Sequence, residues 1–104
     1  MEIKWDAAAL DDLEAVLRYI EDKFSLSDAR LFYAEMLKQA GRMAVFPDMG
    51  KKESLLNGQF RSIPVNRLCK VVYTVMPDAI FIVALWSTRR DPEALRRELT
   101  DRVE

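Results

Sequence analysis

The chain has 104 residues, 50% hydrophobic and 32% charged, with a formal net charge of -1. That is the size of one domain spanning 1–104, with room for a real core, and its evenly spread charge excludes extended disorder. A lone cysteine, Cys69, excludes an internal disulfide, and the complete lack of histidine removes the usual zinc ligand, general base and every His-dependent triad.

Met1 to Trp5 alternates apolar and polar and reads as a short strand. Asp6 then suits a helix N-cap, its carboxylate accepting free amide protons of the first turn. Leu10, Leu13, Val16, Leu17, Ile20 and Phe24 form a helical stripe, with Asp11, Asp12, Glu14, Arg18, Glu21 and Asp22 on the wet side. Ser25–Ser27 breaks the pattern, and Ser27 or Asp28 is expected to cap a second helix. Its stripe is Ala29, Phe32, Tyr33, Met36, Leu37, Ala40, Met43 and Ala44. Two amphipathic helices with so short a connection predict an antiparallel hairpin, ended at Phe46-Pro47-Asp48-Met49-Gly50 because proline biases the preceding residue away from helix.

Lys51 to Asn57 reads as a loop. Gly58–Val65 follows as a strand, with Arg61, Ile63 and Val65 on one face and Phe60, Ser62 and Pro64 on the other. Pro64 cannot donate to a ladder, so this strand belongs at an edge or carries a bulge. Leu68–Met76 is apolar and β-branched enough to be central, with Lys70 the polar exception. Asn66-Arg67 and Pro77-Asp78 are turns, and Ala79–Trp86 is the most hydrophobic strand. Asp91 and Pro92 give a strong start signal for a last helix ending near Thr100. The expected fold class is α+β, in the order β-α-α-β-β-β-α. It is a small, mainly antiparallel sheet with a helical hairpin packed on one face.

Charge is unevenly distributed. Residues 1–28 hold eight acidic and three basic side chains, whereas residues 42–97 hold ten basic and five acidic ones. The C-terminal half therefore suits an acidic partner or phosphates, although a solvated mixed surface has the same appearance. A guanidinium or ammonium on a strand must be paired or exposed in a groove, which applies to Arg61 and Lys70. In a hairpin about Asn66-Arg67 the two are expected as cross-strand neighbours, and two adjacent cations suggest an anion site. Arg89 and Arg90 precede a helix N-terminus, where amides and the helix dipole favour anions; Asp91 or Glu93 neutralising them is the competing reading. Trp86 is either core or an exposed anchor for a partner. Tyr73 reads as core, and Cys69 as a small buried hydrophobe with no base to activate it.

Over roughly residues 1–97 the chain resembles the RelE/ParE superfamily of type II toxin-antitoxin toxins. The resemblance rests on the initial strand, a helical hairpin carrying Asp11-Asp12-Leu13 and Ala29 with Phe32, and Phe46 to Gly50. It continues through Phe60 to Val65, Lys70 to Val75 and Trp86-Ser87-Thr88-Arg89-Arg90-Asp91-Pro92. It implies a plasmid- or chromosome-borne, growth-inhibiting toxin neutralised by a cognate antitoxin, in a hetero-oligomer with it. The lone cysteine fits a reducing cytoplasm, no cofactor or metal is expected of a chain without histidine, and no apolar run reaches membrane length. Two targets compete: RelE-like members enter the ribosome and cleave mRNA, whereas ParE-like members poison DNA gyrase.

Carried over by position, Arg61, Lys70 and Arg89 or Arg90 fall where RelE-like toxins keep basic catalytic residues. Ile63 stands where that set has a second lysine, and Ser87 where many relatives have histidine. The C-terminal tyrosine has no counterpart. A cation-only site lacks proton transfer worth about two to four orders of magnitude. The acidic sequence pI, near 5.5, also disfavours an RNA-bound enzyme. The resemblance thus points to the ParE-like, non-nuclease branch, with Arg61, Trp86, Arg89 and Arg90 as expected partner contacts.

Overall fold

Residues 1–54 and 58–103 are described by a computed structural model. The chain runs β1 (Glu2–Trp5), α1 (Ala7–Lys23), α2 (Leu26–Val45), a 3-10 turn (Pro47–Met49), β2 (Lys51–Lys52), β3 (Arg61–Pro64), β4 (Cys69–Val75), β5 (Ala79–Ser87) and α3 (Pro92–Val103). The sheet order is β1-β5-β4-β3-β2. β1 lies parallel to β5, and the other pairings are antiparallel.

The α+β layout expected from the sequence is observed, with β4 central and the α1–α2 hairpin on one face. Val65, Cys69, Val71, Ile80, Ile82 and Leu85 meet Leu13, Ile20, Phe32, Met36 and Met43 in the larger core. Alternation sends the remaining strand residues to the other face, where α3 covers them. There Phe60, Val72, Val83, Ala84 and Trp86 pack with Leu95 and Leu99. Burying these side chains on both faces supplies the main driving force, about 1.5–3 kcal/mol for each large apolar group.

Several local expectations are corrected. Lys51 and Lys52 are a short edge strand rather than loop, while Leu55–Asn57, expected as loop, lie outside the described residues. The third strand begins at Arg61, not Gly58, whose positive φ of 72° belongs to a turn. Ser25 caps α2 in place of Ser27 or Asp28: its Oγ accepts from the Asp28 N–H at 3.0 Å and donates to the Asp28 carboxylate at 2.8 Å. Asp6 occupies the N-cap of α1 but its carboxylate makes no capping bond. Its backbone N–H instead extends the sheet to the Ile82 carbonyl. α3 runs to Val103, beyond the expected end at Thr100. Leu10, Phe24, Tyr33 and Leu37, assigned to buried stripes, are exposed. Each helix of a two-layer hairpin reaches the sheet with an arc narrower than its apolar stripe.

Candidate functional site

The Phe46–Gly50 turn is fastened to the sheet from below. Tyr73, fully buried on β4, donates its hydroxyl to the Pro47 carbonyl and accepts the Gly50 N–H, both at 2.8 Å. Arg61, opposite Tyr73 in the ladder, donates to the carbonyls of Asp48 and Gly50 at 3.1 and 2.9 Å. The Asp48 carboxylate adds an ion pair at 3.5 Å that is too exposed to contribute much. Burial pushes the Tyr73 phenol above its ordinary pKa, against the opposing pull of the Gly50 N–H and the Arg61 charge. Only glycine fits at position 50, since a Cβ there would stand 2.5 Å from the Tyr73 hydroxyl and 3.0 Å from the Arg61 Cβ. Arg61 is thus partly buried and spent on backbone carbonyls.

Lys70 stands opposite Pro64, three positions from Tyr73, so the expected pairing of Arg61 with Lys70 is not observed. The register places the two cations on opposite faces. Arg61 shares its face with Ile63, Val71 and Tyr73; Lys70 shares the other with Ser62. Glu53 binds both: its Oε1 accepts from Lys70 Nζ at 2.5 Å and from Ser62 Oγ at 2.6 Å. Burial raises the Glu53 pKa, but these two hydrogen bonds, with the charges of Lys70 and Lys51, outweigh it and hold the carboxyl below its ordinary range. Lys70 is a paired structural cation in this structure.

Trp86 is only 2% exposed, so it is core rather than the exposed anchor expected as one alternative. It sits beneath α3, and Arg90 closes over it with the guanidinium carbon 3.9 Å from the ring centre. Arg90 is then held by Glu98 at 3.0 Å, not by Asp91 or Glu93. Asp91 instead caps α3, accepting the Glu93 N–H at 3.0 Å. Arg89 is exposed and in no ion pair among the described residues. It borders a cavity of about 300 Å³ lined by Ala15, Val16, Tyr19, Leu68, Cys69 and Ser87. Burial pushes the Cys69 thiol up to about 12, so it is not a nucleophile at neutral pH.

Sequence reading gave no sign of the ion pair between Asp12 and Arg102. β5 continues past the end of β1, leaving backbone groups on its outer edge, and Asp12 and Arg102 occupy them. Asp12 accepts the Leu85 N–H at 3.1 Å, and Arg102 donates to the Val83 carbonyl at 2.8 Å. Val83 is the extra residue of a bulge, since Val72 opposes Ala84 while Tyr73 opposes Ile82. The only sequence signal for this was an aspartate in an amphipathic helix, which reads as solvated.

Arg61 lies on the face opposite Lys70. Lys70 is cross-strand from Trp86 and so shares a face with the Arg90 that covers that ring, but Glu53 holds Lys70 and Glu98 holds Arg90. Among the described residues no cluster of acids and cysteine has the makings of a metal site. No described helix is long and apolar enough to cross a membrane.

A family model described as the ParE toxin of the type II toxin-antitoxin system, parDE, matches residues 3–92. The chain belongs to the ParE toxin family. A solved chain of the chromosomal ParDE TA system from P. aeruginosa has the same fold, with a TM-score of 0.71 at 17% identity, covering 84% of this chain and 95% of that one. No curated protein matches. The family match ends at Pro92, so α3 beyond its first residue, with Glu98 and Arg102, lies outside it, while Arg90 lies within. The hairpin, the sheet from Ile3 onward and the Tyr73–Arg61 clamp lie within the matched residues.

Proposed function

We propose that this ParE-family toxin arrests bacterial growth by binding DNA gyrase through protein contacts, and that a cognate antitoxin binds the toxin and relieves the arrest. The observation that carries the reading is that the basic side chains which would have to act on RNA are each engaged inside the protein. Arg61 is bonded to turn carbonyls, Lys70 to Glu53 and Arg90 to Glu98. Cleaving RNA needs a proton acceptor and cations converging on one phosphate, within about 3 Å of the reacting atoms. Tyr73 faces Arg61 across the ladder, but its hydroxyl is buried, engaged at both lone pair and proton, and harder to ionise than an ordinary phenol. A net charge of -1 also suits protein contact better than a long RNA track.

The antitoxin's carboxylates are expected at Arg89, an exposed cation in no ion pair among the described residues, with an apolar side chain in the adjoining cavity. Induction of the toxin alone should produce double-strand breaks and an SOS response, and the purified toxin should stop gyrase supercoiling. Normal supercoiling at saturating toxin, with transcripts cut in translating extracts, would replace this reading with an mRNA interferase.

A further inference from the structure

The clamp beneath the Phe46–Gly50 turn holds in place a segment led by two exposed apolar side chains. Val45 and Phe46 are 67% and 65% exposed. Four hydrogen bonds from Tyr73 and Arg61 fix the turn that follows, and the Phe46 N–H is tied to the Arg42 carbonyl at 2.8 Å. An exposed aromatic on a fixed backbone loses little conformational entropy on binding, which is how interface anchors gain affinity. Cavities of about 570 and 780 Å³ flank the turn and share Asp48. Exposed Val75 and Met76 line the larger one, adding apolar surface at the same end of the molecule.

Charge indicates what covers this end. Arg42 precedes the anchor, and Lys51 and Lys52 follow it on the edge strand β2. All three are exposed, and none is in an ion pair among the described residues. An apolar anchor flanked by free cations complements an apolar pocket rimmed by carboxylates. A nucleic acid would satisfy the cations but leave Val45 and Phe46 in water. The surface is also remote from Arg89: Cys69 pairs with Ser87 at that end of β4, while Val75 is at the other, about 20 Å away. One partner at Arg89 therefore leaves this end open.

We propose that the end of the molecule built on the Phe46–Gly50 turn is the surface that engages the toxin's protein target, with Val45 and Phe46 entering an apolar pocket whose carboxylates meet Arg42, Lys51 and Lys52. The inference rests on the gyrase reading and assigns it a surface. Its test uses purified gyrase holoenzyme and the full-length toxin. Phe46→Ala should weaken gyrase inhibition by about tenfold or more while keeping the wild-type melting temperature. The double reversal Lys51→Glu, Lys52→Glu should weaken inhibition similarly, and independently of any packing effect. Leu31→Ala, which truncates an equally exposed side chain at the other end of α2, should act like wild type.

Inhibition by Phe46→Ala and by the charge reversal at the wild-type level overturns this inference alone. So does an equal loss in Leu31→Ala, or binding of a DNA or RNA oligonucleotide that is lost in the reversal but not in Phe46→Ala. A wild-type toxin that leaves gyrase untouched overturns the functional reading, and this inference with it.

Discussion

Asp12 and Arg102, 90 positions apart, meet in a two-point ion pair at 2.8 and 3.1 Å that fastens α3 to α1 across the edge of β5. The hydrogen bond to Asp12 keeps Arg102 charged above even its usual range, against the burial that opposes it. The pair also satisfies the backbone of Leu85 and Val83, so it acts as a substitute for a strand that β1 is too short to provide.

Removing either partner leaves a half-buried charge and an open backbone group. Asp12→Ala is expected to destabilise the fold by about 1–3 kcal/mol, and the double-mutant cycle with Arg102→Ala should give a coupling of similar size. Urea unfolding of the four proteins measures it. Additive losses would show that the pair contributes nothing beyond its separate members.

The clamp at Gly50 is steric as well as polar. Gly50→Ala drives a methyl against the Tyr73 hydroxyl and is expected to lower stability by about 1–3 kcal/mol, despite alanine's lower unfolded-state entropy. Tyr73→Phe keeps the shape but strands the Gly50 N–H and Pro47 carbonyl, with a loss of about 1–3 kcal/mol. If the two losses arise at one contact, Gly50→Ala should do less harm in the Tyr73→Phe background than in the wild type. Thermal unfolding of the singles and the double decides it.

Glu53 ties stability to acid. Its folded-state pKa lies below the ordinary 4.5, so its contribution is complete above that value and lost as pH falls through the folded one. Glu53→Gln should therefore flatten the stability–pH curve below about 4.5 and lower stability at neutral pH. Denaturant midpoints measured from pH 7 down to pH 3 test the sign. An unchanged acid slope would exclude Glu53 as a source of it.

Cys69 should be silent in the native state. With its thiol pushed up to about 12 and its side chain buried, it is almost wholly protonated and inaccessible at pH 8. Labelling by a thiol reagent should follow global unfolding across a denaturant series. Rapid labelling without denaturant would show that the cavity beside Arg89 opens in the folded protein.

The sequence by itself determined the helices, the order of the long strands, the turn at Pro77-Asp78 and the start of α3 at Asp91-Pro92. It located the β3–β4 turn too, but made it two residues where the strands leave four, Val65 to Leu68. These follow from periodicity and local backbone preference, which act over a few residues and are written in neighbouring side chains. It also placed the chain in its superfamily, since the order of segments from Asp11 to Pro92 survives without any knowledge of contacts. The tertiary structure alone decided the partner of each cation. A ladder in which Arg61 opposes Tyr73 puts Lys70 on the other face, and that register depends on the length and shape of the connecting turn. It alone buried Trp86 beneath Arg90, bridged Asp12 to Arg102, and left Phe46 exposed above a clamped turn. Such relations join residues far apart in the chain, and no spacing in the sequence records which charge a folded backbone will bring to which.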